Sequence, residues 1–454
     1  MGGEWTTCTV ADVAAKTRNA IVGGPFGSDL VSRDYVAVGV PVIRGTNMAN
    51  RWVGGEFAFV SAEKSESLAA NHAEPGDVVF TQRGTLGQVA LVPEMPYARY
   101  LISQSQMKLT VDRQKASPLF LYYVFRSEEQ QEYIRKNAIQ TGVPHTNLGL
   151  LKATPLVLPP LAEQRAIARI LGALDDKIEL NRKTNATLEA MARALFKSWF
   201  VDFDPVRAKA EGRAPSGMDA ETAKLFPSEF AESELGPIPK GWRATTLGTE
   251  VERCGGAVQT GPFGSQLHAS DYVPEGVPVV MPKDIGGRRV STASIARVRE
   301  VDALRLSRHR LQPGDVVYSR RGDVERHALI GARETGWLCG TGCLLVRLGP
   351  SWPSPMFASF ALDRPEARTW ISQHAIGATM PNLNTGILSA VPLVMPSDDA
   401  LRAFAGAVDP LQALVVIRDA ETGLLAKTRD ELLPRLLSGE LPVDAAERAV
   451  EEVS

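Results

Sequence analysis

Two arginines stand in equivalent surroundings. Arg83 follows Gly76-Asp77-Val78-Val79-Phe80-Thr81-Gln82 and precedes Gly84-Thr85, while Arg321 follows Gly314-Asp315-Val316-Val317-Tyr318-Ser319-Arg320 and precedes Gly322-Asp323. A guanidinium at a strand end presents planar N–H donors that can hold guanine O6 and N7, or a phosphate, bidentately. Gln82, Thr85 and Arg320 add hydrogen-bonding groups beside glycine, as contacts to backbone and bases require. The competing reading is an exposed arginine paired with Asp77 or Asp315, an interaction of little energetic weight.

Other candidates surround these two. Gly24-Pro25-Phe26-Gly27-Ser28 recurs as Gly261-Pro262-Phe263-Gly264-Ser265. Its glycines permit close backbone approach, and its amides with Ser28 or Ser265 could take a phosphate. A tight turn whose Phe26 or Phe263 plugs the core would ask for the same residues. The next positions differ, Asp29-Leu30 against Gln266-Leu267, which makes Gln266 a candidate for touching a different base. Arg44, Thr46 and Asn47 follow the strand-like Val40-Pro41-Val42-Ile43, and Lys283-Asp284 hold the equivalent loop. These five stand between DNA contact and plain surface loop. His145-Thr146-Asn147 and Asn382-Leu383-Asn384 read first as caps and turn closers.

The elements that must position these residues form a long repeat. At an offset of 237 residues Trp5 falls on Trp242, and Asp34-Tyr35-Val36 falls on Asp271-Tyr272-Val273. Gly39-Val40-Pro41-Val42 matches Gly276-Val277-Pro278-Val279, and after one inserted residue Pro75 to Phe80 matches Pro313 to Tyr318. The original offset returns at Pro144/Pro381, Asn147/Asn384, Pro155/Pro392 and Pro159/Pro396. Five blocks in one order make a tandem duplication with two similar jobs. Copies of this size are domains, not solenoid units. Within each, short β-branched runs bounded by Gly and Pro predict strands, interrupted by helical stretches such as Pro118 to Ile139.

Each copy ends in a predicted helix. Ile167, Leu171, Leu174, Ile178, Asn181, Asn185, Leu188, Ala192, Leu195 and Trp199 step by four and three, the rhythm of a coiled-coil seam. Adding the offset gives Phe404, Val408, Leu411, Val415, Arg418, Thr422, Leu425, Arg429, Leu432 and Leu436. Both seams are apolar at the ends and polar in the middle. An antiparallel pair would bring Asn181 and Asn185 near Arg418 and Thr422, a polar layer that fixes register. Pro410 predicts a kink, or a fresh start capped by Asp409. The fold class is therefore α+β: two tandem mostly-β domains, each followed by a long α-helix, the helices paired as an antiparallel coiled coil with pseudo-twofold character. Expected bounds are 1–158 and 237–396 for the domains, 159–202 and 397–441 for the helices, 203–236 for a linker and 442–454 for an acidic tail.

Composition bounds the rest. With 454 residues, 44% hydrophobic and 22% charged, the chain is long enough for several globular cores. The net charge of -2 argues mildly against a nucleic-acid binder, but it is unevenly spread. Pro237 to Pro396 carries 18 Lys and Arg against 13 Asp and Glu, and Ser397 to Ser454 carries 6 against 12. No apolar run reaches the roughly 18 residues of a bilayer span, and no basic-then-apolar leader opens the sequence, so a cytoplasmic protein with no membrane partner is expected. The 4 cysteines lack metal-site spacing and the 6 histidines show no paired spacing, so no metal site is expected. A phosphate loop, an adenine-holding Asn/Asp-Pro-Pro-Tyr/Phe run and an S-adenosylmethionine-type glycine turn are all missing. No catalytic residue is nominated.

Three local runs complete the pattern: Phe196-Lys197-Ser198-Trp199-Phe200-Val201-Asp202-Phe203-Asp204-Pro205, Leu235-Gly236-Pro237-Ile238-Pro239-Lys240-Gly241-Trp242, and Leu432-Leu433-Pro434-Arg435-Leu436-Leu437-Ser438-Gly439-Glu440-Leu441. In this order, with the two copies and two helices, the chain resembles the DNA-specificity subunits of type I restriction-modification systems, over all but its last dozen residues. The resemblance implies that each copy is a target-recognition domain reading one half of a split double-stranded DNA target. It implies that the helices space the halves and bind two methyltransferase subunits, which restriction (helicase-nuclease) subunits join. S-adenosylmethionine, ATP and Mg would then sit on those partners, with no cofactor on this chain. The rival readings are a self-sufficient methyltransferase or nuclease, which the missing motifs disfavour, and an adaptor whose duplicated domains bind RNA or protein.

Overall fold

In the computed structural model, residues 4–140, 142–377 and 380–451 are described. The chain forms two compact units, one running to Lys183 and resuming at Arg418, the other spanning Thr184 to Ile417.

The first unit is built on a four-stranded antiparallel sheet in the order Ile21–Gly23, Gln106–Leu109, Val78–Thr81, Val89–Leu91. Successive side chains of a strand point to opposite faces. Val78 and Phe80 accordingly enter one apolar cluster with Phe120 and Leu121 of the helix Pro118–Arg126, while Val79 enters another with Ile43, Tyr100 and Ile102. Both faces are covered, which is why Val-Val-Phe runs without polar alternation. A five-stranded sheet lies alongside, ordered Tyr35–Val36, Ala58–Val60, Val40–Ile43, Tyr100–Ile102, His72–Ala73, with one parallel pair between Val40–Ile43 and Tyr100–Ile102.

The second unit repeats the first sheet as Ala257–Thr260, Cys343–Arg347, Val316–Ser319, His327–Leu329. Val316 and Tyr318 again enter one cluster and Val317 another. Its neighbouring sheet is smaller: Ala296–Val298, Tyr272–Val280 and Leu338–Cys339. Residues 203–236, expected as a linker, carry the helices Asp204–Ala210 and Ala220–Lys224. Val206 and Phe226 from this stretch are buried beside Trp199 and Trp242, so apolar packing orders it.

Two helices of 40 residues each, Leu161–Phe200 and Asp398–Leu437, contribute to both units. In the first unit Ile167, Leu171, Leu174 and Ile178 share a core with Leu425, Leu432 and Leu436. Lys177 meets Glu421 at 3.2 Å and Asp175 meets Arg429 at 2.6 Å, so position rises on one helix as it falls on the other, an antiparallel pairing. In the second unit Ala192, Phe196 and Trp199 pack with Phe404 and Val408. The heptad seam is thus the buried face in each.

The fresh start expected at Pro410 does not occur, for Asp398–Leu437 is one helix. Pro410 and Gly406, the residue whose carbonyl loses its helical donor, are both exposed, so water can take that carbonyl. The buried seam at Phe404, Val408 and Val415 holds the helix through. This helix is also long and apolar enough by composition to cross a bilayer, with a mean hydropathy of 1.5 over one 18-residue window, 33% of it buried. The expected absence of any such run is corrected to that extent. At its far end the tail forms the helix Val443–Glu451, with Ala446 buried and Glu447 paired to Arg169 at 2.8 Å. Residues 452–454 of the expected tail lie outside the described residues.

Candidate nucleic-acid interface

In each unit two of the candidate loops leave one end of the four-stranded sheet, a third leaves the neighbouring sheet, and all three meet at one turn. In the first unit that turn joins Tyr100–Ile102 to Gln106–Leu109. Gly24 N donates to Gln106 O at 2.8 Å, Gln82 N to Ser105 O at 2.7 Å and Ser103 N to Ile43 O at 3.0 Å, so three loops are tied to four residues. In the second, Gly261 N donates to Cys343 O at 2.9 Å, Arg320 N to Gly342 O at 2.8 Å and Gly340 N to Val280 O at 2.9 Å. The contact is close enough to demand glycine. A Cβ on Gly24 would stand 1.9 Å from Ser103 O, and one on Gly261 2.2 Å from Gly340 O.

A fourth segment joins the same place, through Thr146 N to Gln82 O at 2.8 Å and Leu383 N to Arg320 O at 2.8 Å. Next to them, Asn147 Oδ1 accepts from Leu150 N at 2.9 Å and Asn384 Oδ1 from Ile387 N at 2.8 Å, each capping a short helix. These asparagines are structural, as their types suggested.

Arg83 and Arg321 are exposed, and among the described residues neither forms an ion pair. The pairing with Asp77 or Asp315 does not form, because both carboxylates are buried and taken. Asp77 holds Lys108 at 2.9 Å and the amide of Glu74 at 3.0 Å. Asp315 holds Arg347 at 2.9 Å and the amide of Gln312 at 2.8 Å. Both arginines are left with their donors in solvent. Gln82 and Arg320 beside them are half-buried, Thr85 is exposed, and Arg320 Nε finds no partner among the described residues.

The neighbouring loop divides. Arg44 and Thr46 are exposed, but Asn47 is 2% exposed and not free to read a base. Its Oδ1 accepts from Arg44 N at 3.0 Å, and its Nδ2 donates to the carbonyls of Gly54 at 3.0 Å and Glu56 at 2.9 Å. Asn47 is therefore a buried plug that shapes the loop. Asp284 does the same work, accepting from Met281 N at 3.0 Å. Lys283 is exposed, with its ammonium resting on Ser294 O at 2.9 Å.

The Gly-Pro-Phe-Gly-Ser turns do not plug the core. Ser28 and Ser265 are exposed, and so are the rings between the glycines: Phe26 is 83% and Phe263 51% exposed. Gln266 spends its carbonyl oxygen on Phe263 N at 3.0 Å. Gln104, Gln106 and Gln88 escaped the reading of the sequence. Gln104 Nε2 donates to Gly27 O at 3.3 Å, Gln88 Oε1 accepts from Thr81 Oγ1 at 3.1 Å, and Gln106 Oε1 accepts from Ser103 Oγ. The one available signal was Ser103-Gln104-Ser105-Gln106, a polar run between two strands.

Between the helices, Arg418 Nη1 donates to Asn181 Oδ1 at 3.1 Å, and Asn181 Nδ2 donates to Glu421 at 2.9 Å. Asn185 Nδ2 donates to Val415 O at 3.3 Å. Thr422 Oγ1 is buried and bonds to no described residue. Asn181, Arg418 and Glu421 form a polar cluster inside the first unit, and Glu421 is a member that the heptad count did not supply. Among the described residues no three His, Cys, Asp or Glu side chains are grouped to hold a metal, and the cysteines are free thiols.

Comparison with known proteins agrees with this geometry. The family described as "Type I restriction modification DNA specificity domain" matches residues 3–190. The chain is 27% identical over 439 residues to the type I restriction enzyme HindI specificity subunit of Haemophilus influenzae, covering 87% of this chain and 93% of that one. It is 23% identical to the MjaIX specificity subunit of Methanocaldococcus jannaschii, covering 97% and 94%. In fold it is similar to a type I S subunit from M. genitalium, with a TM-score of 0.58 at 17% identity over 95% of this chain and 96% of that one. With two copies of one domain, two heptad helices and relatives matched along nearly their whole length, the chain is similar throughout to the DNA-specificity subunits of type I restriction-modification systems.

Proposed function

We propose that this chain reads a bipartite double-stranded DNA target, one half-site per unit, for a type I restriction-modification assembly. The observation that carries the reading is the doubled loop hub. The same turn gathers the same loops in both units, and each presents an arginine with no acidic partner among the described residues. Guanidinium donors held on a rigid backbone suit guanine edges and phosphates. In each hub the exposed side chains Ser28, Arg44, Thr46, Arg83 and Thr85, or Ser265, Lys283 and Arg321, are the ones offered to DNA, with Gln82, Gln266 and Arg320 beside them.

The chain is non-catalytic in this reading. Two methyltransferase subunits dock on it and restriction subunits join them, and those chains carry S-adenosylmethionine, ATP and Mg. The assembly works on the chromosome, so a cytoplasmic location follows. The test is to sequence methylated adenines in the host with and without this gene. The reading expects one split motif to lose methylation when the gene is removed. Unchanged methylation, or robust methyl transfer to DNA by the purified chain alone, would refute it.

A further inference from the structure

Hydrogen bonding does not account for Phe26 and Phe263. Large apolar rings gain from burial, yet both stand in solvent at the same place in two copies. The loops that carry them are not loose. Pro25, Leu30, Pro262 and Leu267 are buried on either side. The turns close through Asp29 N to Phe26 O at 2.9 Å and Gln266 N to Phe263 O at 2.8 Å. Each ring is therefore presented by a braced pedestal, tied to the hub by Gly24 or Gly261. The nearby cations, Arg83 and Arg321, have no acidic partner among the described residues, so a polyanion suits this sheet end better than an apolar protein groove.

We infer that Phe26 and Phe263 are stacking wedges, each ring entering a base step within or beside the half-site read by its own unit. The inference rests on the DNA reading above and adds a means of specificity to it. An aromatic wedge unstacks one step, at a cost that depends on which bases flank it, so the loop would sense deformability where the arginines sense base edges.

The test uses the full chain assembled with its methyltransferase subunits, and duplexes carrying the motif found by methylated-adenine sequencing. 2-Aminopurine is placed at successive steps of both half-sites. A fluorescence rise at one step in each half is expected. Phe26→Ala should abolish the rise in one half only and Phe263→Ala in the other, each weakening binding roughly tenfold to a hundredfold. Phe26→Trp should retain it. Because the rings are exposed, thermal unfolding should not change. Wild-type affinity in both alanine variants with no fluorescent step overturns the wedge. Loss of methyltransferase subunits from Phe26→Ala, with DNA binding by the chain unaltered, overturns it in favour of a protein-docking ring. If Arg83→Ala relaxes a half-site and Phe26→Ala changes nothing, the wedge falls and the DNA reading stands. If the wild-type assembly shows no preference for the motif, both fall together.

Discussion

The two units build one backbone hub and furnish it differently. Positions that keep their chemistry across the copies are those the backbone needs: Gly24 and Gly261 at the close approach, Asp77 and Asp315 under the sheet, Asn47 and Asp284 inside a loop, Asn147 and Asn384 at helix starts. Positions that change are those left in or near solvent: Gln82 against Arg320, Thr85 against Asp323, Thr46 against Lys283, Asp29 against Gln266. A reader of two different half-sites would be expected to divide in this way, with shared scaffolding beneath exchangeable contacts.

The sharpest structural contrast lies under the sheets. Asp77 is 3% exposed and its partner Lys108 only 8%, whereas the partner of Asp315 is Arg347, at 28%. Asp77→Ala strands an ammonium in the core and should cost about 3–5 kcal/mol of stability. Asp315→Ala leaves a guanidinium that water can reach and should cost about 1–2 kcal/mol. Chemical denaturation of the two variants checks the order. Equal losses would mean that burial of the cation is not what separates the units.

Acid should separate the units next. Burial pushes His327 down to about 4, and burial with Arg308 nearby pushes His309 down to about 4. In the first unit, His72 is lowered by burial and Arg99, and bonds Ser65 Oγ at 2.8 Å. An unfolded imidazole takes its proton near pH 6.5. A folded one that stays neutral to about pH 4 therefore contributes stability above 6.5 that is lost as pH falls from there toward 4. The second unit carries two such groups and should lose on the order of 2 kcal/mol more than the first over that span. Hydrogen exchange resolved by unit, at pH 7 and pH 4.5, measures this. Faster opening of the first unit at the lower pH would contradict it.

The helix pair should show the smallest effect. Asn181→Ala removes bonds to Arg418 and Glu421, which are only half-buried and can turn to water, so a loss of about 1 kcal/mol is expected. Asn185→Ala removes a longer bond to a carbonyl and should cost less. A loss above about 3 kcal/mol for Asn181→Ala would make the layer a main support of the pair.

Much of this was legible in the residues. The heptads named the buried seam because period and burial are the same fact on a helix. The strand runs named the sheet because both of its faces are covered. The misreadings share one cause: a residue type states what it can do locally, and packing decides which option is used. Pro410 breaks a helix only where its freed carbonyl cannot reach water. Asn47 suits a base edge or a loop plug, and its two carbonyl partners, seven and nine residues on, were the deciding neighbours. Phe26 suits a core, but the rigid turn beneath it points the other way. Gln104 and Gln106 drew no notice because a hub exists only once distant loops have met.

The central claim is that each unit reads its own half of the target through its own hub, and one measurement addresses it directly. Methylated adenines are sequenced genome-wide in hosts carrying the wild-type chain, Arg83→Ala or Arg321→Ala. Each substitution should relax one half of the split motif and leave the other half's sequence intact, at a cost of about 1–3 kcal/mol if the contact is to a base. The two variants should affect opposite halves. Relaxation of the same half by both, or uniform weakening with the motif unchanged in both, would contradict the account.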